Sequence, residues 1–292
     1  MRMALLALRQ FILLAVSGLA LSACSTLALF DTFAPKDAGG VLAERDIAYG
    51  SGERQKLNVY TPRDGADGAP VLMFIYGGSW KEGDKDLYDF AGRAFAAQGF
   101  VTVIADYRLV PQVRFPAFVE DGAAAVAWIE DNIGQYGGDP ERFYLAGHSA
   151  GAYNAVMLAV DPQWLEAAGV SDGLIDAVAG LAGPYDFYPW DTDVSRAAFQ
   201  GASDPANTTQ PVALITADAP ALLLMTGLDD TTVKPRNVDA LAARARDLGV
   251  PVTVKKYDGI DHVGIAGAIS RPFRDEAPVL EDIVTFFNSV EG

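Results

Sequence analysis

Two residue types are scarce in this sequence, and each scarcity narrows the chemistry open to it. The 292 residues hold one cysteine, Cys24, so no disulfide can form within the chain and the fold must rest on a buried core. There are two histidines, His148 and His262, so a reaction that needs an imidazole base has to use one of them. Basic residues are outnumbered by acidic ones, 22 against 38, and the formal net charge of −16 argues against nucleic acid as a partner. No internal repeat or low-complexity block divides the chain. Apolar residues are plentiful: with 50% hydrophobic and 21% charged positions, the chain is globular and long enough for one large α/β domain.

Residues 1–23 place Arg2 and Arg9 ahead of a short apolar run over 11–21 and end in small residues, the anatomy of a secretory leader rather than of a spanning helix. Leu21-Ser22-Ala23-Cys24 resembles the bacterial lipobox, in which the cysteine becomes the lipid-modified first residue of a mature lipoprotein. A plain signal peptide with an incidental cysteine is the alternative. The lipobox resemblance implies a lipidation site at Cys24, a tether over 24–40, a domain over 41–292 and a membrane anchor in the bacterial cell envelope. Ser25 after the cysteine implies outer-membrane sorting by the same resemblance.

From residue 44 onward, strand-like and helix-like segments alternate, which predicts a mostly parallel sheet covered on both faces. Expected strands are 45–49 and 55–60, joined as a hairpin by Gly50-Ser51-Gly52, then 70–76, 101–105, 142–146, 177–181, 221–226 and 252–257. Helical spacing predicts helices over 87–98, 116–136, 152–160, 238–248 and 279–290. The fold class is therefore three-layer α/β with an eight-stranded sheet. Residues 186–218, rich in Asp, Pro, Ala and Thr, read as a long irregular region forming a small lid or loop.

The apolar run Phe143–Ala146 feeds Gly147-His148-Ser149-Ala150-Gly151, which opens directly into a helical pattern. That is the layout of a nucleophile elbow, a turn that lifts a serine hydroxyl above the sheet beside the free N–H groups of a helix start. A serine needs a base. His148 lies beside Ser149 within the turn and reads as a packing or hydrogen-bonding residue. His262 follows the last expected strand, so its loop lies at the same sheet edge as the elbow. The acid that would orient it follows the strand 221–226, where Asp229 and Asp230 both qualify; Asp186 ranks lower, and Asp258 and Asp261 are too near His262 in sequence. The order Ser149, Asp230, His262 is that of α/β-hydrolases. An oxyanion hole would draw one donor from Ala150 and the rest from the loop after the third strand, Tyr76-Gly77-Gly78-Ser79-Trp80.

Tyr76-Gly77-Gly78-Ser79-Trp80 resembles the His-Gly-Gly-x-Trp segment of the α/β-hydrolase esterase/lipase group related to hormone-sensitive lipase, carboxylesterases and arylformamidases. Asp106-Tyr107-Arg108-Leu109, Phe115-Pro116-Ala117 with Asp121, and Tyr136-Gly137-Gly138-Asp139-Pro140 are similar to it as well. The resemblance spans nearly all of 44–290. It implies catalytic Ser149, Asp230 and His262, with Asp-Thr-Thr-Val at 230–233 matching the group's acid loop, and an oxyanion hole made by the N–H groups of Gly78, Ser79 and Ala150. Two positions depart from the pattern: Tyr76 stands where the group has histidine, and Ser79 where the lipase version has a third glycine.

The expected function is a serine carboxylesterase cleaving small acyl or aryl esters through an acyl-enzyme, with no metal or organic cofactor required. Trp80, Tyr153, Tyr185 and Trp190, with Phe187, fall in or near the expected mouth and are the candidate substrate-binding residues. The alternatives are an arylformamidase-like amide hydrolase and a silent, envelope-anchored binding protein.

Overall fold

The computed structural model describes residues 34–190 and 192–290. The expected leader, the expected lipidation site Cys24 and the first part of the expected tether lie outside the described residues. The compact unit runs from Ala34. Its opening residues are docked on the domain: Lys36 Nζ is 2.6 Å from Asp89 Oδ2, and Arg274 pairs with Asp37 at 2.8 Å. The end of the expected tether is thus part of the folded unit.

Among the described residues the strands form one eight-stranded sheet in the order β1-β2-β4-β3-β5-β6-β7-β8. β1 (Gly40–Ala48) and β2 (Lys56–Pro62) make the antiparallel hairpin expected from the glycine-rich turn, and β2 pairs antiparallel with β4 (Val101–Ala105). The rest of the sheet is parallel: β3 (Ala69–Ile75), β5 (Gly138–His148), β6 (Ile175–Leu181), β7 (Ala221–Gly227) and β8 (Val252–Tyr257). Val71–Phe74 and Leu222–Met225 are buried at every residue, as a strand covered on both faces must be.

The helices end where local chemistry stops them. α1 (Asp89–Ala96) follows a 3-10 turn over Lys85–Tyr88, two residues later than the helical spacing suggested. α2 (Ala117–Asn132) turns Phe118, Val119, Ala123, Val126 and Ile129 to the core, and α3 (Ala150–Val160), buried on nearly every side, is apolar but for Asn154 and the hydroxyl of Tyr153. α4 (Gln163–Ala168) was not anticipated from the sequence; at six residues it is too short to show a period. The region 186–218 is less irregular than expected, with α5 (Asp193–Phe199), α6 (Pro205–Thr208) and α7 (Pro211–Leu214). Side chains stitch it down: Gln210 Oε1 accepts the Phe187 N–H at 2.8 Å, and Tyr153 donates its hydroxyl to the Thr209 carbonyl at 2.9 Å. α8 (Arg236–Leu248) stops at Gly249, whose φ of 78° is the left-handed helix cap that favours glycine; α9 (Gly264–Gly267) and α10 (Val279–Val290) complete the chain.

Strand order decides where chemistry can happen. From β3 the chain leaves toward β4 and from β5 toward β6, in opposite directions, so a crevice opens between the carboxyl ends of β3 and β5. Their parallel register sets Ile75 opposite Gly147. The loop after β3 and the turn after β5 therefore begin at the same height.

Candidate active site

Ser149 has φ 54° and ψ −120°, a region that a residue with a side chain rarely occupies. The strain is held from both sides. Its N–H donates to the Leu181 carbonyl at 2.8 Å, and its carbonyl accepts the Tyr153 N–H at 3.1 Å. A Cβ on Gly147 would lie 2.3 Å from the Gly151 carbonyl oxygen, and one on Gly151 would lie 2.0 Å from that of Ile75, so neither position can carry a side chain.

Facing the turn, His262 Nε2 is 2.8 Å from Ser149 Oγ and His262 Nδ1 is 2.7 Å from Asp230 Oδ2. Asp230 is buried, and its second oxygen accepts the N–H groups of Thr232 and Val233 at 2.9 and 2.8 Å. That leaves Oδ2 for the imidazole. Asp229 is exposed, its N–H bonded to the Ile260 carbonyl. Asp261 accepts the Val263 and Gly264 N–H groups, and Asp186 sits 3.8 Å from Arg236. Of the carboxylates weighed from the sequence, Asp230 is the one that the fold brings to His262.

The loop after β3 lies against the serine. A Cβ on Gly77 would come within 3.1 Å of Ser149 Cβ, which makes the glycine a condition of the approach. Gly78, Ser79 and Trp80 follow with φ values of 135°, 55° and 57°. The Gly78 carbonyl is turned back to accept the Lys81 and Glu82 N–H groups at 3.0 Å, while the N–H groups of Gly78, Ser79 and Ala150 meet no acceptor among the described residues.

The tyrosine that departs from the group's pattern has its own support. Tyr76 donates its hydroxyl to Asp106 Oδ1 at 2.6 Å and accepts from Arg54 Nη2 at 2.8 Å, and its carbonyl accepts the Tyr107 hydroxyl at 3.1 Å. Arg54 Nη2 also reaches the Gly83 carbonyl at 2.8 Å, so one guanidinium holds both ends of the loop. Burial pushes the Asp106 carboxyl above its ordinary range, and burial followed by the Asp106 charge drives the Tyr76 phenol well above its own. Arg54 and Asp106 lie far apart in sequence, so no local pattern marked their partnership.

His148, read as a packing or hydrogen-bonding residue, is buried, and its Nε2 donates to the backbone carbonyl of His262 at 2.8 Å. Burial and then the neighbouring His262 push its imidazole down to about 3. Among the candidate substrate-binding residues, Trp80 and Tyr153 are packed with Phe118, Phe187 and Phe199, and Trp80 Nε1 donates to Asn154 Oδ1 at 3.1 Å. Tyr185 is wholly buried, its hydroxyl wedged against Gly180 and Gly183. The structure places these three in the interior, because β6 and α3 need large rings to fill the space that small residues leave; Trp190 is half-buried. Apolar side chains that do meet solvent near the site are Leu228 and Val263, 45% and 68% exposed, which flank Asp230 and His262 in the chain. Sequence reasoning passed over both because exposure is invisible to it.

The family model for BD-FAE matches residues 57–244, which include the loop after β3, the turn at Ser149 and Asp230. The chain belongs to the BD-FAE family. Its sequence is similar to a probable isoprenylcysteine alpha-carbonyl methylesterase of Oryza sativa subsp. japonica, 28% identical over 268 residues, covering 84% of this chain and 62% of that protein. It is also similar to esterase LipC of Mycobacterium tuberculosis, 30% identical over 220 residues, covering 69% of this chain and 55% of that protein. The chain thus spans a little more than half the length of these relatives. Among solved structures, an inhibited esterase B of Lactobacillus rhamnosis superposes with a TM-score of 0.80 at 20% identity, covering 99% of this chain and 97% of that one. A hyperthermophilic esterase of Pyrobaculum calidifontis superposes with a TM-score of 0.74 at 22% identity, covering 98% of each. The fold of this BD-FAE member is therefore that of the α/β-hydrolases.

Proposed function

We propose that this protein is a serine carboxylesterase. Ser149 Oγ attacks the ester carbonyl while His262 Nε2 takes its proton, and Asp230 holds the imidazole in the tautomer that leaves Nε2 free to accept. The oxygen of the tetrahedral intermediate is held by the N–H groups of Gly78, Ser79 and Ala150, which have no other acceptor among the described residues. His262 then returns the proton to the departing alcohol, and water repeats the sequence on the acyl-enzyme. The observation that carries this reading is the unbroken line from Asp230 Oδ2 to His262 to Ser149 Oγ, at 2.7 and 2.8 Å. The exposed Leu228 and Val263, close to Asp230 and His262 in the chain, favour an ester with an apolar acyl or aryl group. The names of the relatives, an esterase and a probable methylesterase, agree with this reading.

A fluorophosphonate probe should label the folded protein at Ser149, and Ser149→Ala should abolish hydrolysis of p-nitrophenyl acetate and butyrate. Absence of labelling, or unchanged turnover in the variant, would reject the enzyme in favour of a silent binding protein. Preferential cleavage of N-formyl anilides over esters would move the assignment to amide hydrolysis. The lipobox-like Cys24 supports a lipid anchor in the cell envelope; intact mass of membrane-expressed protein should show a diacylglyceryl addition there.

A further inference from the structure

His262 has a long way to come. β8 lies three places from β5 in the sheet, roughly 14 Å at about 4.8 Å per strand, so the loop carrying the base must reach back across the ends of β6 and β7 to meet Ser149. Its near end is fixed to the β7 loop, where the Leu228 N–H donates to the Tyr257 carbonyl at 2.9 Å and the Asp229 N–H to that of Ile260 at 3.1 Å. At its far end, the backbone of His262 itself is held by His148 Nε2 at 2.8 Å.

From this geometry we infer that His148 is a positioning residue for the proposed esterase reaction: its ring ties the base-bearing loop to the strand that carries the nucleophile. The inference rests on the serine-esterase reading of the site. His148 is the last residue of β5 and immediately precedes Ser149, so the bond sets the base directly against the nucleophile's own backbone. A carbonyl only accepts, so Nε2 must carry the proton, and the lone pair of Nδ1 is left facing the oxyanion loop. There a Cβ on Gly77 would come within 2.9 Å of it, and Nδ1 has no hydrogen-bond partner among the described residues. One buried ring thus touches the elbow, the base loop and the oxyanion loop. The bond is also independent of the reaction. His262 Nε2 gains and loses a proton in each half-cycle and Ser149 Oγ is esterified between them, whereas the bond from His148 to the His262 carbonyl involves none of the reacting atoms. It holds the base in place while the contact between His262 and Ser149 is broken.

The test compares the full chain with His148→Gln, which keeps an N–H donor, and His148→Phe, which keeps a ring without one, using p-nitrophenyl acetate. Expected are a kcat lower by about tenfold to a hundredfold in His148→Phe with KM little changed, as misplacement of a catalytic group produces, and recovery of most of the loss in His148→Gln. A second measurement needs no variant: 15N NMR of the histidine side chains should show His148 protonated at Nε2 alone at pH 7. Active wild-type protein with a wild-type kcat in His148→Phe overturns the inference, as does a loss in His148→Gln as large as in His148→Phe, or a His148 ring protonated at Nδ1. Wild-type protein that neither hydrolyses the ester nor reacts with a fluorophosphonate overturns the esterase reading itself, and the positioning role falls with it.

Discussion

At the scale of residues, the two histidines occupy opposite situations. His262 keeps contact with solvent and meets Asp230 through a carboxylate oxygen that no backbone N–H claims, so the pair depends on that single contact. Asp230→Asn keeps the shape but replaces the acceptor, and kcat is expected to fall by about 10³–10⁴-fold in ester hydrolysis with little change in KM. His148 is buried and held down to about 3 by that burial, against about 6.5 in an unfolded chain. Between those values the unfolded chain binds a proton that the folded one does not, so the stability that the neutral ring contributes is complete above about pH 6.5 and is lost as pH falls toward 3. The slope is about 1.4 kcal/mol per pH unit for one proton. Urea unfolding of the wild type and of His148→Gln between pH 6 and 4 should therefore give stability curves whose slopes differ by about that amount, the variant being the flatter; parallel curves would contradict it.

The proposed oxyanion loop holds two of the five non-glycine residues at positive φ among the described residues, Ser79 and Trp80, next to each other. Such a conformation persists only where the surroundings over-determine it. Here the supports are Tyr76, Asp106 and Arg54 on one side and the tight pass of Gly77 along the elbow on the other. Tyr76→Phe removes one hydroxyl and leaves the buried Asp106 and half-buried Arg54 each a partner short, which should cost about 1–3 kcal/mol of stability in a denaturant titration. It should also lower kcat more than it raises KM, because the loop's N–H groups matter most when the carbonyl oxygen becomes an oxyanion. A variant with wild-type kcat would show that the loop holds its shape without the tyrosine.

For the whole molecule, the folded unit begins before its first strand. Lys36 and Asp37 reach Asp89 and Arg274, on α1 and on the segment leading to α10, and so tie the chain's entry to two distant elements. Asp89 is buried and shares its carboxylate with Lys36 and Arg93. Of two truncations, one starting at Ala34 and one at Val41, the second removes Lys36 from that carboxylate and is expected to be less stable than the first by about 1–3 kcal/mol in thermal or denaturant unfolding. Equal stability of the two truncations would show that the entry segment is merely laid on the surface.

How much of this was written in the sequence depends on the range of the interaction involved. The eight strands, their hairpin start and parallel remainder, and the strand–turn–helix around Ser149 are local patterns: β-branched and apolar runs bounded by turn residues, and glycines where two backbones pass at contact distance. β5 is longer than its apolar core because Gly138 and Asp139 pair with Ala69 and Pro70, a partnership that Gly-Asp-Pro, read locally, conceals as a turn. Position after β7 places Asp229 and Asp230 equally and the resemblance of Asp-Thr-Thr-Val points to Asp230; the physical difference between them, two backbone donors and burial at Asp230, comes from the turn. The aromatic residues near the mouth could be listed by composition and position but not sorted into core and rim. The hold of His148 on the His262 loop, and of Arg54 on both ends of the oxyanion loop, join residues 114 and 29 positions apart, respectively, in the longest cases. Sequence determined the elements and the residue types at their ends, because those follow from the chain's own period and turns. Tertiary structure decided which ends meet, because that depends on strand order and on which polar groups, once buried, must find each other.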